Sequence, residues 1–243
     1  MAAGPPVNRH YRSHRRGWAS IPDVVQQRTL ILSGGGDFTD PWHPFAQTSA
    51  RIAGILDGVA GDAVVSDAVI DSLHGLAAAP PRLLVINAGN AERATDADPD
   101  AISALAAYLQ GGGALIVMHV ASTAFPAVPD WERIIGGRWV RGTTMHPDEG
   151  RSAVQVVPGH PITSRLRDFE VYDEMYSWLR VDPADHVLAR HAYEGVDHPL
   201  AWAREVDGAR VVYDALGHTP RSFDAPDHVR LLQNSARWVL GEL

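Results

Sequence analysis

From Thr29 onward, short apolar runs alternate with amphipathic stretches. TLILSGGGD (29–37) is an apolar run closed by glycines, the pattern of a buried strand feeding a ligand-facing loop. In FAQTSARIAGILDG (45–58), Phe45, Ile52, Ile55 and Leu56 recur at helical spacing. DAVVSDAVI (62–70) is rich in β-branched residues and predicts a strand, and RLLVINAGN (82–90) predicts another. PDAISALAAYLQ (99–110) predicts a helix with Asp98 as its cap, Pro99 in its first turn and Gly111 to Gly113 as its stop. GALIVMH (113–119) is again an apolar strand. Strands alternating with helices over short loops imply a parallel sheet covered on both faces.

The second half has a different rhythm. SAVQVV (152–157), FEVYDEMYSWL (169–179), HVLARHA (186–192), PLAWARE (200–206) and ARVVYDAL (209–216) read as strands with few helices between them, the pattern of an antiparallel extension. PDHVRLLQNSARWVLGEL (226–243) closes the chain with Val229, Leu232, Ala236, Val239 and Leu240 on one helical face. The expectation is one α/β domain over 29–243 with a β-rich elaboration, preceded by a flexible, Arg-rich extension over 1–28.

Composition narrows the chemistry. The 243 residues suffice for one large or two small domains, and 45% hydrophobic with 21% charged residues is ordinary for a globular chain. There is no cysteine, which excludes disulfides, thiolate-bound zinc, iron–sulfur clusters and a thiol nucleophile. All 21 basic residues are arginine, so Schiff-base lysine chemistry is excluded too. A net charge of -8 argues against nucleic acid as a partner. Residues 1–28 carry five Arg against a single Asp, but no apolar run follows, so the head does not read as a secretory signal. No stretch approaches the roughly 18 apolar residues of a membrane span. A cytoplasmic protein without a membrane partner is expected.

In open α/β sheets ligands bind beyond the carboxyl ends of the strands. Those ends carry Asp37 and His43, then Asn87, then His119, then His218. One histidine at such a place more often caps a loop; three at equivalent strand ends point to a shared pocket. The run SGGGD lacks the G-x-G-x-x-G spacing, and no acid ends the next strand, so a dinucleotide site is rejected. In FEVYDEMYSW, strand alternation puts Glu174 on one face with Tyr172, Tyr176 and Trp178, and sends Asp173 to the other. A carboxylate among aromatic rings suits a sugar or, equally, the edge of a core. His198, Trp202 and Tyr213 form a similar group. His43, His119, His146, His160, His198 and His218, with Glu174, also supply metal-ligand chemistry. None of these six lies in an H-E-x-x-H motif, so any metal site must be assembled from remote segments.

In order, the glycine-rich first loop with His43, GGGALIVMH, GGRWVRGTTMHP, GHPIT, YDEMY, DHPLAW and VVYDALGHT resemble the ThuA (trehalose-utilisation) family, over about residues 29–242. The resemblance implies a three-layer, flavodoxin-like fold akin to class I glutamine amidotransferases: a parallel sheet with an antiparallel β extension. Where that fold carries its G-x-C-x-G elbow, this chain reads Val117-Met118-His119-Val120-Ala121, so glutamine hydrolysis through a thioester is excluded. The resemblance also implies a small-molecule sugar partner, a trehalose-type disaccharide or a keto-sugar. The expected protein is therefore a carbohydrate-active enzyme, a hydrolase or lyase. His119, Glu174, His43 and His218 would be its acid–base residues, and Trp202, His198, Tyr176, Asn87 and Asp37 its sugar contacts. Two alternatives stay open: a metal-assisted, zinc-type hydrolase using the same histidines with a divalent metal as cofactor, and a non-catalytic sugar-binding protein. Exposed edge strands in the second half also suggest a homodimer.

Overall fold

The computed structural model describes residues 28–89 and 98–243; the expected extension over 1–28 lies, apart from Arg28, outside the described residues. In chain order the main elements are β1 (Thr29–Ser33), α1 (Phe45–Leu56), β2 (Ala63–Ser66), α2 (Val69–Gly75), β3 (Leu83–Asn87), α3 (Pro99–Gln110), β4 (Ala114–Met118) and α4 (Asp130–Ile135). There follow β5 (Gly137–Arg138), β6 (Gly150–Val156), β7 (Phe169–Asp173), β8 (Arg180–Val181), β9 (His186–Tyr193), β10 (Val196–Val206), β11 (Ala209–Asp214) and α5 (Pro226–Val239).

One nine-stranded sheet runs β2-β1-β3-β4-β11-β10-β9-β6-β7, with β5 and β8 paired apart from it. The first five strands of that order are parallel. The rest are joined antiparallel. Every residue of β3 and β4 is buried, because each apolar run is covered from both sides. Helix α1 packs with α5, and α2 packs with α3, so two helical layers enclose the sheet. This is the expected α/β, three-layer arrangement with its antiparallel extension. Among the described residues no helix is long and apolar enough to cross a membrane.

Local chemistry explains the boundaries. Asp98 caps α3 by accepting the N–H groups of Asp100 and Ala101, with Pro99 in the first turn. The stretch 62–70, expected to be one strand, divides: β2 stops at Ser66 and α2 starts at Val69. Val64 and Val65 are exposed on this outermost strand, so the β-branched pair does not mark a buried run. Packing alone demands glycine at 34 and 35. A Cβ on Gly34 would stand 2.4 Å from the Phe45 ring, and one on Gly35 would stand 2.6 Å from the Asp67 carbonyl.

Strand β7 also ends early, at Asp173, where the expected strand continued to 179. Its end comes back to the middle of the molecule. Asp173 accepts the N–H groups of Gly217 (2.7 Å) and His218 (3.1 Å), just beyond β11. Since β7 is four strands from β11 in the sheet, at about 4.8 Å per strand, the antiparallel part must coil over the carboxyl edge of the parallel part. That coiling sets Glu174 above the ends of β4 and β11.

Candidate active site at the carboxyl edge of the sheet

His119 is the first residue after β4 and opens a 3-10 turn, with φ of 46°. A non-glycine residue in this left-handed conformation costs about 1–2 kcal/mol and persists only where its surroundings hold it. Here Tyr213 donates to the His119 carbonyl at 2.7 Å, and His119 Nδ1 donates to the Ala215 carbonyl at 2.6 Å. A carbonyl can only accept, so the proton sits on Nδ1 and Nε2 presents a lone pair. Tyr176 donates its hydroxyl to that Nε2 at 2.9 Å, and the two rings are stacked.

His43 lies on the loop between β1 and α1. Asp40 fixes it twice: its carboxylate accepts the backbone N–H of Trp42 and of His43, each at 2.9 Å, and meets His43 Nδ1 at 2.7 and 2.8 Å. Burial pushes the Asp40 carboxyl up, but its bonds to His43 outweigh that and hold it below the usual carboxylate range. His43 Nε2 is buried without a hydrogen-bond partner. His218, just past β11, likewise has a buried Nδ1 without one.

These rings converge. Ring centroids are 5.1 Å apart for His43 and His119, 4.9 Å for His43 and His218, and 5.4 Å for His119 and His218. Glu174 Oε2 stands 3.3 Å from His218 Nδ1, 3.6 Å from His119 Nε2 and 3.5 Å from His146 Nε2. One ligating atom each from His43, His119, Glu174 and His218 lies within 4.8 Å of the others. Burial holds His119 well below its ordinary pKa, and the neighbouring His43 adds to this. Burial lowers His218 as well, against the pull of Glu174. Both imidazoles are neutral at pH 7. Burial raises the Tyr176 phenol well above its usual value, so it keeps its proton.

The structure gathers His43, His119, His218, Glu174 and Tyr176 and leaves four expected contacts elsewhere. Trp202 is fully buried, donates to the Ile135 carbonyl at 2.7 Å and stacks on Tyr213. His198 belongs to a second buried group, where its Nδ1 accepts from Trp178 N at 3.1 Å beside His191. Asn87 is buried and donates to Thr48 Oγ1 and Ser49 Oγ, each at 2.9 Å, tying β3 to α1. Asp37 is exposed on a one-turn 3-10 helix. Tyr172 lies under the Arg221 guanidinium and Trp178 packs against His198, so the expected aromatic face around Glu174 reduces to Tyr176.

Asp40 is the residue that the sequence reading missed. Its signal was an Asp three positions before His43, the spacing of a side chain that accepts the next backbone N–H groups. His146 also enters the site, half-buried at its mouth, with Trp139 and Tyr176 beside it.

The family described as ThuA, trehalose utilisation, matches residues 80–239. A ThuA-like protein from Parabacteroides merdae ATCC 43184 superposes with a TM-score of 0.73 at 16% identity, over 88% of this chain and 89% of that one. For a ThuA-like protein from Bacteroides uniformis ATCC 8492 the TM-score is 0.70 at 17% identity, over 93% and 95%. The β-galactosidase from Rahnella sp. R3 gives 0.58 at 12% identity; the match takes in 87% of this chain but 31% of that enzyme. No curated protein matches the chain. At such identities, likeness to the solved structures shows the fold alone.

Proposed function

The chain belongs to the ThuA (trehalose utilisation) family, and from that premise we propose that it is an enzyme acting on a sugar, with His43, His119, Glu174 and His218 as its reacting centre. The carrying observation is that donor atoms from four remote segments lie within 4.8 Å of one another. The family's description points to trehalose, and the resemblance read from the sequence adds a keto-sugar as the other substrate class. The site supplies the chemistry, a proton transfer in hydrolysis or elimination.

A keto-sugar suits such a centre because the carbonyl acidifies the neighbouring C–H bond, and a base near neutral pH can then remove the proton. Glu174 and the unprotonated Nε2 of His119 are the acceptors. The phenol of Tyr176, which keeps its proton, is the donor to an oxygen that gains charge. His146 has a side chain 34% exposed and links Glu174 to solvent, so protons can be exchanged without opening the buried rings. Glutamine hydrolysis is excluded because the chain has no cysteine.

The test is turnover of trehalose and of keto-disaccharides by the purified chain. His119→Ala should lower the rate by about 10²–10⁴-fold while far-UV circular dichroism stays unchanged. Undiminished turnover in that variant overturns the assignment of the centre. Saturable binding of the sugars with no product from the wild-type chain makes the protein a binder and overturns the enzyme.

A further inference from the structure

We infer that the same centre binds one divalent transition-metal ion through His43 Nε2, His119 Nε2, His218 Nδ1 and a carboxylate oxygen of Glu174. This deepens the preceding reading and rests on it for the sugar substrate, but not for the ion's presence; in the ion-loaded protein His119 Nε2 and Glu174 are ligands in place of proton acceptors, and the ion would polarise a sugar oxygen.

Four observations carry the ion. The first is spacing. Bonds of about 2.1 Å put neighbouring ligands roughly 3.4 Å apart in a tetrahedron and opposite ligands roughly 4.2 Å apart in an octahedron. The donor atoms here lie within 4.8 Å of one another, so they close on an ion by a shift of less than an ångström. The second is orphaned nitrogen. His43 Nε2 and His218 Nδ1 are both buried without a hydrogen-bond partner, and buried polar atoms almost always have one. His218 Nδ1 faces Glu174 Oε2 at 3.3 Å, and a ligating atom of His43 lies within 4.8 Å of both residues, so two unsatisfied nitrogens and a carboxylate share one small space.

The third is the backing of the rings. Asp40 holds the Nδ1 side of His43, and the Ala215 carbonyl holds the Nδ1 side of His119. A carboxylate or carbonyl on the far nitrogen is how proteins fix the tautomer and aim of a metal-bound histidine. Both rings are thereby set with Nε2 inward. The fourth is the donor set. Three imidazoles and one carboxylate suit zinc, iron, cobalt or manganese, whereas magnesium and calcium take oxygen ligands. The Tyr176 hydroxyl, now bonded to His119 Nε2, is the group that the ion displaces; it stays beside the ion to donate to a sugar oxygen. His146 stands outside the ligand set, at the mouth.

The experiment uses the full chain, made without a polyhistidine tag, stripped with a chelator and then exposed to zinc or cobalt alone. Elemental analysis should find about one equivalent bound per chain. Cobalt should give visible absorption bands of a nitrogen-rich site, and zinc should raise the Tm. His43→Ala and His218→Gln should each weaken binding by at least ~10–100-fold.

Less than about a tenth of an equivalent under saturating metal overturns the ion, as does binding that survives both substitutions. If those variants do not fold, the wild-type cobalt spectrum decides, and absence of the bands overturns the ion. The two proposals fail separately. Turnover of a sugar by a chain that takes up no metal in the titration removes the ion and keeps the enzyme; a bound ion with no sugar turned over keeps the ion and removes the sugar reading.

Discussion

Asp40 and the Ala215 carbonyl do the same work for different rings, and the comparison shows what a single residue contributes. The carbonyl belongs to the backbone and no substitution removes it. Asp40 can be changed. Its side chain is 4% exposed and serves both the backbone of the loop and the His43 ring. Asp40→Asn keeps an acceptor for the loop but offers the ring one oxygen in place of a charged pair, and the amide can turn its N–H₂ toward Nδ1. His43 then loses both its fixed tautomer and the negative charge behind it. We expect a loss of about 10–100-fold in kcat/KM, or in zinc affinity, with little change in Tm. Kinetics and metal titration on one preparation check this; wild-type values in both would show that Asp40 only shapes the loop.

Residues 45–56 and 83–87 show how a side chain read as a contact can be a joint between elements. Asn87 ends β3 and reaches the first turns of α1, the helix that follows directly on His43-Pro44. Asn87→Ala should cost about 1–2 kcal/mol of stability through two lost hydrogen bonds, although Thr48 Oγ1 still donates to the Pro44 and Phe45 carbonyls. The KM for the sugar should not change. A raised KM at unchanged stability would instead return Asn87 to the pocket.

The same pairs of elements explain what could be read beforehand. Strands β3 and β4 and helix α3 were legible because a fully covered run and a capped helix leave their pattern in the local sequence. Three histidines were legible because the carboxyl edge of a parallel sheet collects whatever follows its strands. Glu174 was found with the wrong geometry. It reaches the site because the chain leaves β7 at Asp173, and the bonds that hold this bend come from residues 217 and 218. No local periodicity encodes a partner 44 residues away. The burial of Trp202 was not legible for a similar reason, since an aromatic residue in a strand reads alike whether its face meets a ligand or Tyr213.

For the whole molecule, the parallel sheet, the last helix and the site are joined at one buried ion pair. His228 in α5 is fully buried, donates from Nδ1 to the Ser222 carbonyl at 2.8 Å and meets Asp214 Oδ2 with Nε2 at 3.1 Å. Both ring nitrogens face acceptors, so the ring is an imidazolium. Burial alone would lower its pKa, but the Asp214 charge and the hydrogen bonds prevail and raise it. Asp214 closes β11 and accepts the N–H of Leu216, in the segment that presents Ala215 and His218 to the site.

The sign of the pH effect follows from linkage. The folded state holds this proton more tightly than the unfolded chain, whose histidine titrates near 6.5. The stabilisation is complete below about pH 6.5 and fades as pH rises through the higher folded value. His228→Gln cannot carry the charge and leaves Asp214 buried without its cation, so it should cost about 3 kcal/mol at pH 6. The deficit should shrink as pH rises through the folded value, where the wild-type ring also loses its proton. Urea titrations of both chains from pH 6 to 9 measure this difference directly. A deficit that is constant across the range would mean that His228 holds α5 by packing, and that its charge contributes nothing to the edge where the site is built.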